Sequence, residues 1–243
     1  MKLYGKNPVL ERLKTNPKSI RMIYVQEGHP ETGYLRKKAA KWGIPVASVP
    51  RSKMIKLGRS LNTQGILVEV EDFPYVPYDE LLDMAVAKKY SLLFLDSLTD
   101  PQNLGGIMRS AACFGGFAIV LPTHDSAGVT ETVLRVACGA DNYIKTARVA
   151  NLNHAIAEAK KAGFWIAGTV PEDGQDIQEV LLPFPLGLVI GSEDRGIRDI
   201  IRKNIDVALT IPMSRERLSL NVAHAAAIFC YEITKQKNKA KKN

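Results

Sequence analysis

The sequence predicts an α/β protein: a parallel sheet covered by helices on both faces, preceded by a small α/β domain. Two observations carry this prediction. From residue 92 onward, short apolar runs alternate with amphipathic segments in a repeated β-α order. Runs such as residues 187–190 are apolar throughout, which is typical of parallel strands buried on both faces.

Residues 1–72 form the smaller predicted domain. Its pattern predicts helices at 5–16, 31–42 and 51–57 and strands at 20–25, 44–49 and 65–70. Pro74 and Pro77 then interrupt the pattern, so residues 73–90 are predicted to be a linker followed by a helix at 78–88.

Residues 91–236 form the larger predicted domain, and residues 237–243 a lysine-rich tail. Turn residues at 100–103 predict a helix start with Asn103 as its N-cap. The other predicted elements are strands at 92–95, 117–121, 142–145, 164–169, 186–190 and 206–211, and helices at 130–138, 152–162, 197–203 and 219–235. Polar, glycine-containing segments follow several strands, where parallel sheets bind ligands.

Positive charge is concentrated at the start of the chain. Residues 1–72 hold 14 lysines and arginines against 6 aspartates and glutamates, whereas residues 73–243 hold 19 of each. This asymmetry favours a first domain that holds a polyanion, nucleic acid above all, over a basic surface that only aids solubility.

Several classes of protein receive little support. No apolar run reaches membrane-spanning length and no signal peptide is evident, so we expect a cytoplasmic protein without a membrane partner. The three cysteines are far apart without a CxxC pair, and the histidines lack ligand spacing, so no metal is expected. GxGxxG and P-loop motifs are absent from the sequence. Only the β-α order of the predicted elements therefore supports a nucleotide-linked oxidoreductase.

One predicted helix combines two glycines with an arginine. Gly105, Gly106 and Arg109 share a helix face, so the guanidinium lies over a surface without side chains that a backbone or ligand can approach. The alternative is a surface arginine on a helix whose start is weakened by glycine.

Three motifs together resemble a known family. They are residues 103–106 with Arg109, residues 191–193 with Gly196, and residues 211–213 followed by 219–222. The chain resembles the SpoU (TrmH) family of RNA ribose 2′-O-methyltransferases in the SPOUT superfamily over nearly its whole length. The likeness is greatest to enzymes that methylate a guanosine in 23S rRNA.

The resemblance implies a fold, a cofactor and an assembly. It implies a C-terminal trefoil knot that binds S-adenosylmethionine, a first domain that binds RNA, and a homodimer packed through the last helix. Small residues on that helix also allow close packing, although packing within the same chain is the alternative (Ala223, Ala226, Ala227 and Cys230). The implied cofactor positions are Gly191, Ile211 and Leu220, with Thr169, Met213 and Ser219 nearby.

The implied reaction moves a methyl group to a ribose 2′-oxygen, and Arg109 is the implied activating residue. Because a guanidinium rarely loses its proton, we favour a cationic clamp that stabilises the developing oxyanion over a base. Four residues complete the predicted catalytic set: Asn103, Glu193, Ser219 and Asn221. Helix capping is the alternative role for Asn103 and Ser219, and a solvated loop position is the alternative for Glu193, whereas Asn221 is expected to contact the cofactor or RNA.

Two departures from the family pattern leave a second reading open. Asp194 stands where the family has glycine, and residues 215–218 replace a glycine and small residues. These changes put cofactor binding in doubt. The alternative to an active methyltransferase is therefore an RNA-binding module with the same fold and weak or no activity.

Overall fold

The structure is a computed structural model that describes residues 1–59, 62–214 and 219–240. The chain divides into two compact units. One comprises Met1–Pro74 and Val129–Tyr143, and the other comprises Tyr75–Gly128 and Ile144–Asn243. The sequence pattern predicts that residues 129–143 belong to the second domain, whereas the structure groups them with the first unit.

The elements alternate along the chain. The strands are β1 (Lys2–Tyr4), β2 (Ile20–Gln26), β3 (Val46–Val49), β4 (Ile66–Val70), β5 (Ser91–Leu95), β6 (Phe117–Pro122), β7 (Thr146–Val149), β8 (Trp165–Thr169), β9 (Gln175–Asp176), β10 (Leu186–Ile190) and β11 (Val207–Thr210). The helices are α1 (Lys6–Thr15), α2 (Thr32–Ala40), α3 (Arg51–Leu57), α4 (Tyr78–Lys88), α5 (Pro101–Phe114), α6 (Glu131–Ala137), α7 (Leu152–Lys161), α8 (Asp199–Arg202) and α9 (Val222–Ala240).

The first unit is built on a four-stranded sheet in the order β1-β4-β2-β3. Only β2 and β3 are parallel; β4 is antiparallel to both of its neighbours. A buried ion pair between Arg12 and Asp141 joins α1 to the segment 129–143. The backbone N–H of Lys2 also donates to Oε1 of Glu131 at 2.7 Å, so that segment is tied to the unit at two points.

The described residues of the second unit form seven parallel strands in the order β7-β6-β5-β10-β8-β11-β9. This confirms the predicted parallel sheet. Alternate strand residues such as Leu92 and Phe94 pack under α4, α7 and α8, while the intervening Leu93 and Leu95 are also buried and face the other side. There α5 packs against α9. The direction of strand addition reverses between β5 and β10, which opens a crevice at their carboxyl ends.

Close packing of α5 on α9 uses the small residues. A Cβ added to Gly106 would lie 2.9 Å from Cβ of Ala223, so the helices could not approach this closely with a larger residue. Ala226 and Cys230 are also buried within the chain. Much of the small-residue face that suggested a dimer therefore packs inside the subunit. No helix in the described ranges is long and apolar enough to cross a membrane.

Some predicted boundaries were wrong. The strand predicted at 142–145 is preceded by a 3-10 helix at Ala140–Asn142 and begins only at Thr146. The last helix starts at Val222 and continues to Ala240, so residues 237–240 of the predicted tail are helical. The knot stays a prediction, because residues 215–218 of the predicted knotted segment lie outside the described residues.

The N-cap of α5 also differs from the prediction. Asp100, not Asn103, caps the helix: its carboxylate accepts a 2.8 Å hydrogen bond from the backbone N–H of Gln102. Pro101 occupies the first helical turn, where its missing N–H costs nothing. Asn103 is therefore inside the helix, and its side chain is free to bond elsewhere.

Candidate functional site

A cleft of about 400 Å³ lies at the carboxyl ends of β8, β10 and β11, beside the start of α9. These strands are neighbours in the sheet, so the segments that follow them converge although they are distant in sequence. The lining includes every residue implied for the cofactor: Thr169, Gly191, Ile211, Met213, Ser219 and Leu220.

Main-chain atoms form the wall of this cleft at Gly191. A Cβ at that position would lie 2.2 Å from the carbonyl carbon of Gly196 and 2.4 Å from the nitrogen of Ile197. Ser192 and Gly196 exchange backbone hydrogen bonds of 3.2 and 2.9 Å, which closes the loop 192–196 onto itself. Only glycine permits this contact between two backbone segments, so a side chain at residue 191 would displace the loop.

Three side chains predicted to be catalytic form one hydrogen-bond network. Asn221 donates through Nδ2 to Oε1 of Glu193 at 2.8 Å and to Oδ1 of Asn103 at 2.9 Å. Asn103 donates to the same Glu193 oxygen at 3.2 Å. The network joins α5, the segment after β10 and the start of α9, so it fixes the position of Glu193 between the two helices.

Asn221 also caps α9. Its Oδ1 accepts a 2.9 Å hydrogen bond from the backbone N–H of Ala223, in the first turn of the helix. The capping role considered for Ser219 therefore belongs to Asn221. Ser219 is exposed and lines the cleft.

A second cleft of about 360 Å³ lies on the other side of the loop 192–196. Asn103 and Glu193 line it, so the hydrogen-bond network borders this cleft as well. Its other charged residues are Asp100, Asp125, Asp194, Arg195 and Arg198. Two clefts that share one loop can hold two reactants side by side.

Asp96 is a structural support of the site that is not among the residues predicted from the sequence. Its fully buried carboxylate, directly after β5, accepts hydrogen bonds from the backbone N–H of Arg198 at 2.9 Å and from Nε of Arg198 at 2.7 Å. This pairing holds the chain that leaves the loop 192–196 against the end of β5. An acidic residue at the end of the apolar run 92–95 was the available signal.

Arg109 is not in either cleft. It is exposed on α5, and within the described part of the chain its side chain has no hydrogen-bond or ion-pair partner. The surface without side chains at Gly106 is covered by Ala223 of α9. The structure thus brings together Asn103, Glu193 and Asn221 with the cofactor set, but not Arg109.

The departure at Asp194 does not require a strained backbone. Asp194 is absent from the residues with positive φ in the described chain, whereas Gly196 has a φ of 63°. The left-handed conformation in this loop therefore falls on a glycine. The other departure, residues 215–218, lies outside the described residues.

Fold and site together define a class of protein. A parallel sheet carries a backbone-walled cleft and a polar cleft at its carboxyl edge, as in α/β enzymes that bind a small ligand beside a second reactant. The other unit contains the basic residues 1–72.

Family models identify that class more closely. Residues 91–231 match the SpoU rRNA Methylase family, and residues 2–76 match the model described as RNA 2′-O ribose methyltransferase substrate binding. The chain belongs to the SpoU rRNA methylase family, and the resemblance inferred from the three motifs is confirmed.

Individual relatives agree with this assignment. An uncharacterized tRNA/rRNA methyltransferase of Synechocystis sp. is 37% identical over 97% of this chain, which spans 62% of that relative. A 23S rRNA (guanosine-2′-O-)-methyltransferase of Coxiella burnetii is 34% identical over 97% of this chain and 95% of the relative. The fold is similar to that of the SpoU methyltransferase AviRb of Streptomyces viridochromogenes, solved in complex with AdoMet, with a TM-score of 0.80, 22% identity, and coverage of 98% of this chain and 91% of that one.

Proposed function

We propose that this chain transfers a methyl group from S-adenosylmethionine to a ribose 2′-hydroxyl of structured RNA. The observation that carries the proposal is the convergence of residues 169, 191, 211, 213, 219 and 220 on one cleft. They come from four separate segments. Because the chain belongs to the SpoU rRNA methylase family, methyl transfer is the reaction expected at this cleft.

The cleft suits S-adenosylmethionine in size and character. Small-ligand sites commonly have volumes of about 300–1,000 Å³, and this cleft lies within that range. Backbone groups near Gly191 would hold the polar parts of the cofactor, while Ile211, Leu220 and Phe229 offer apolar contact. When bound, the cofactor supplies an electrophilic methyl group attached to a sulfonium.

The chain's own residues would position the nucleotide and assist loss of its proton. Glu193, held by Asn103 and Asn221, borders both clefts and would orient the ribose or base of the target nucleotide. Arg109 would clamp the neighbouring phosphate and stabilise negative charge on the 2′-oxygen as the hydroxyl proton passes to solvent water.

A homodimer through α9 belongs to this proposal. Ile228 and Tyr231, three residues apart on α9, are 38% and 56% exposed, although such apolar side chains are usually covered. Tyr231 contacts Phe114 of α5, with ring centroids 5.8 Å apart, so a second copy packed on this face would also lie beside α5. Arg109, exposed on α5, would then act on the clefts of the partner subunit.

The proposed RNA is 23S rRNA, with a guanosine as the methylated nucleotide. The relative in Coxiella burnetii bears that activity in its name and aligns along nearly the full length of both chains. The basic residues 1–72 would hold the RNA backbone. A cytoplasmic location, where the ribosome is assembled, is part of the same proposal.

Two measurements test the proposal. Calorimetry should detect S-adenosylmethionine binding at micromolar to millimolar ligand, and tritiated methyl transfer to unmodified 23S rRNA, followed by nucleotide mapping, should identify one 2′-O-methylguanosine. Absence of cofactor binding at millimolar ligand would instead support the RNA-binding module. Methylation of transfer RNA alone would contradict the proposed substrate and leave the reaction intact.

A further inference from the structure

The first unit contains a cleft of about 510 Å³ between α1 and α2. All of its lining residues belong to that unit, including Cys138, which is part of the segment 129–143. Its charged residues are Lys14, Lys38 and Lys41 against the single acid Glu11, and two aromatic side chains also line it, Tyr34 and Trp42.

The aromatic and basic side chains share one face of α2 and the turn that follows it. Tyr34, Lys38, Lys41 and Trp42 are spaced four, seven and eight residues from the first, which places them on the same side of a helix. Nζ of Lys38 lies 5.5 Å from the Tyr34 ring centroid. Trp42 is 53% exposed and Tyr34 is 48% exposed, so both offer a ring to a ligand.

The one acidic side chain in this cleft is already engaged. Oε1 of Glu11 accepts a hydrogen bond from the hydroxyl of Tyr143 and lies 4.0 Å from Nζ of Lys14. The cleft therefore presents net positive charge next to two exposed rings. Such a combination binds a ligand that carries both flat faces and negative charges at short spacing.

We propose that this cleft binds an unpaired segment of the RNA substrate, with a base stacked on Trp42 and the lysines on adjacent phosphates. The inference rests on the proposed function in taking RNA as the substrate. Paired RNA keeps its base faces stacked within the helix, so only an unpaired base can use exposed aromatic rings. An acidic peptide would match the lysines but would leave both rings without a flat partner.

The fluorescence of Trp42 gives a direct test. The chain has two tryptophans, and the other, Trp165, is 51% exposed at the start of β8 in the second unit, at the sheet edge opposite the ligand clefts. In the Trp165→Phe variant all tryptophan emission comes from residue 42. A hairpin RNA with an unpaired loop should quench this emission, and a blunt duplex of the same composition should quench it much less.

Affinity measurements supply a second test. Trp42→Ala should weaken binding of the hairpin by roughly 5- to 150-fold, and Trp42→Phe should retain most of it, because a phenyl ring still stacks. Lys38→Ala and Lys41→Ala should each lower the slope of log K against log salt by about 0.7. The matched controls Trp165→Ala and Lys161→Ala, exposed residues in the second unit, should leave both quantities unchanged.

Three results would overturn the inference: unchanged affinity in Trp42→Ala, equal quenching by duplex and hairpin, or tighter binding of a glutamate-rich peptide than of the hairpin. If Trp42→Ala loses its circular-dichroism spectrum, the quenching in Trp165→Phe decides alone. Calorimetry with S-adenosylmethionine separates the two proposals. Cofactor binding without loop-dependent quenching contradicts this inference, whereas quenching without cofactor binding contradicts the proposed function.

Discussion

The side-chain amide of Asn221 donates a 2.8 Å hydrogen bond to Oε1 of Glu193, joining the start of α9 to the segment that follows β10. Asn103 of α5 donates to the same oxygen at 3.2 Å. Glu193 is thus the common acceptor of two amides that are 118 residues apart in sequence. Loss of this one carboxylate should loosen both connections at once.

Glu193→Ala is therefore expected to affect both stability and function. Asn103, only 6% exposed, would lose the acceptor of its amide, which should lower the free energy of unfolding by about 1 kcal/mol. The rate of methyl transfer should fall by more than the loss of folded protein explains, because the loop 192–196 lines both clefts. Urea unfolding and tritium transfer measure the two effects. The matched control is Glu179→Ala, an exposed glutamate of the second unit that lines neither cleft, and an equal loss in that variant would contradict the role of the network.

Gly191→Ala should specifically damage the cleft proposed to bind the cofactor. The added Cβ would meet backbone atoms of Gly196 at 2.2 Å, and backbone cannot move aside as a side-chain tip can. We expect a loss of about 1–3 kcal/mol in unfolding free energy. Calorimetry should show weaker S-adenosylmethionine binding, by tenfold or more.

The control for this substitution is Gly33→Ala in α2. A Cβ there meets no atom within 4 Å, and Gly33 is not among the glycines with positive φ, so this change should be neutral or slightly stabilising. Equal cofactor affinity in Gly191→Ala and the wild-type chain would show that the backbone contact at residue 191 does not shape the site.

Apolar runs mark the strands, and parallel strands bring their carboxyl ends together, so the sequence pattern predicted a ligand site at that edge of the sheet. The residues expected to bind the cofactor there came from the resemblance to the SpoU family. The sequence also contained the signal for the true N-cap of α5, since Pro101 follows Asp100 directly; Asn103 was chosen because it is an equally good capping residue by type. The short strand β1 was missed, as three residues show no usable period.

Tertiary contacts account for what the sequence did not reveal. The grouping of residues 129–143 with the first unit depends on a pair, Arg12 and Asp141, that is 129 residues apart, and no local pattern reports it. The covering of Gly106 by Ala223 likewise needed the two helices in place.

Arg12→Met should destabilise the first unit in a pH-dependent way. Burial raises the pKa of Asp141, and Arg12 opposes this rise. Without the arginine an unpaired carboxylate stays buried, which should cost about 3–5 kcal/mol at neutral pH. The Asp141 carboxyl then binds its proton more tightly in the folded state than in the unfolded state, so the free energy of unfolding falls as pH rises. The difference in unfolding free energy between the variant and the wild-type chain should therefore shrink as the pH is lowered toward about 5.

Urea unfolding of both chains at the two pH values measures this difference. The double variant Arg12→Met with Asp141→Leu removes both charges and should recover much of the stability and lose the pH dependence. A difference between the Arg12→Met and wild-type chains that is constant with pH would contradict a buried carboxylate at residue 141.

Arg109→Ala should separate function from folding. Its exposed side chain has no ion-pair or hydrogen-bond partner within the described ranges, so unfolding free energy should change by less than about 0.5 kcal/mol. Methyl transfer should fall by roughly 10²–10³-fold if the guanidinium stabilises the developing oxyanion. Arg109→Lys keeps the charge but loses the bidentate geometry, and near-wild-type transfer in that variant would contradict the clamp.

Mixing the two variants at an S-adenosylmethionine concentration too low to occupy the Gly191→Ala cleft tests whether Arg109 acts across a dimer. An Arg109→Ala chain keeps an intact cleft, and a Gly191→Ala chain keeps its arginine. If the arginine serves the partner's cleft, each mixed dimer regains one complete site. Because half of the randomly assembled dimers are mixed, activity should return to about a quarter of the wild-type value. If Arg109 serves its own cleft, every subunit lacks one of the two parts and the mixture stays inactive. The exposed position of Arg109, outside both clefts of its own chain, leads us to expect recovery.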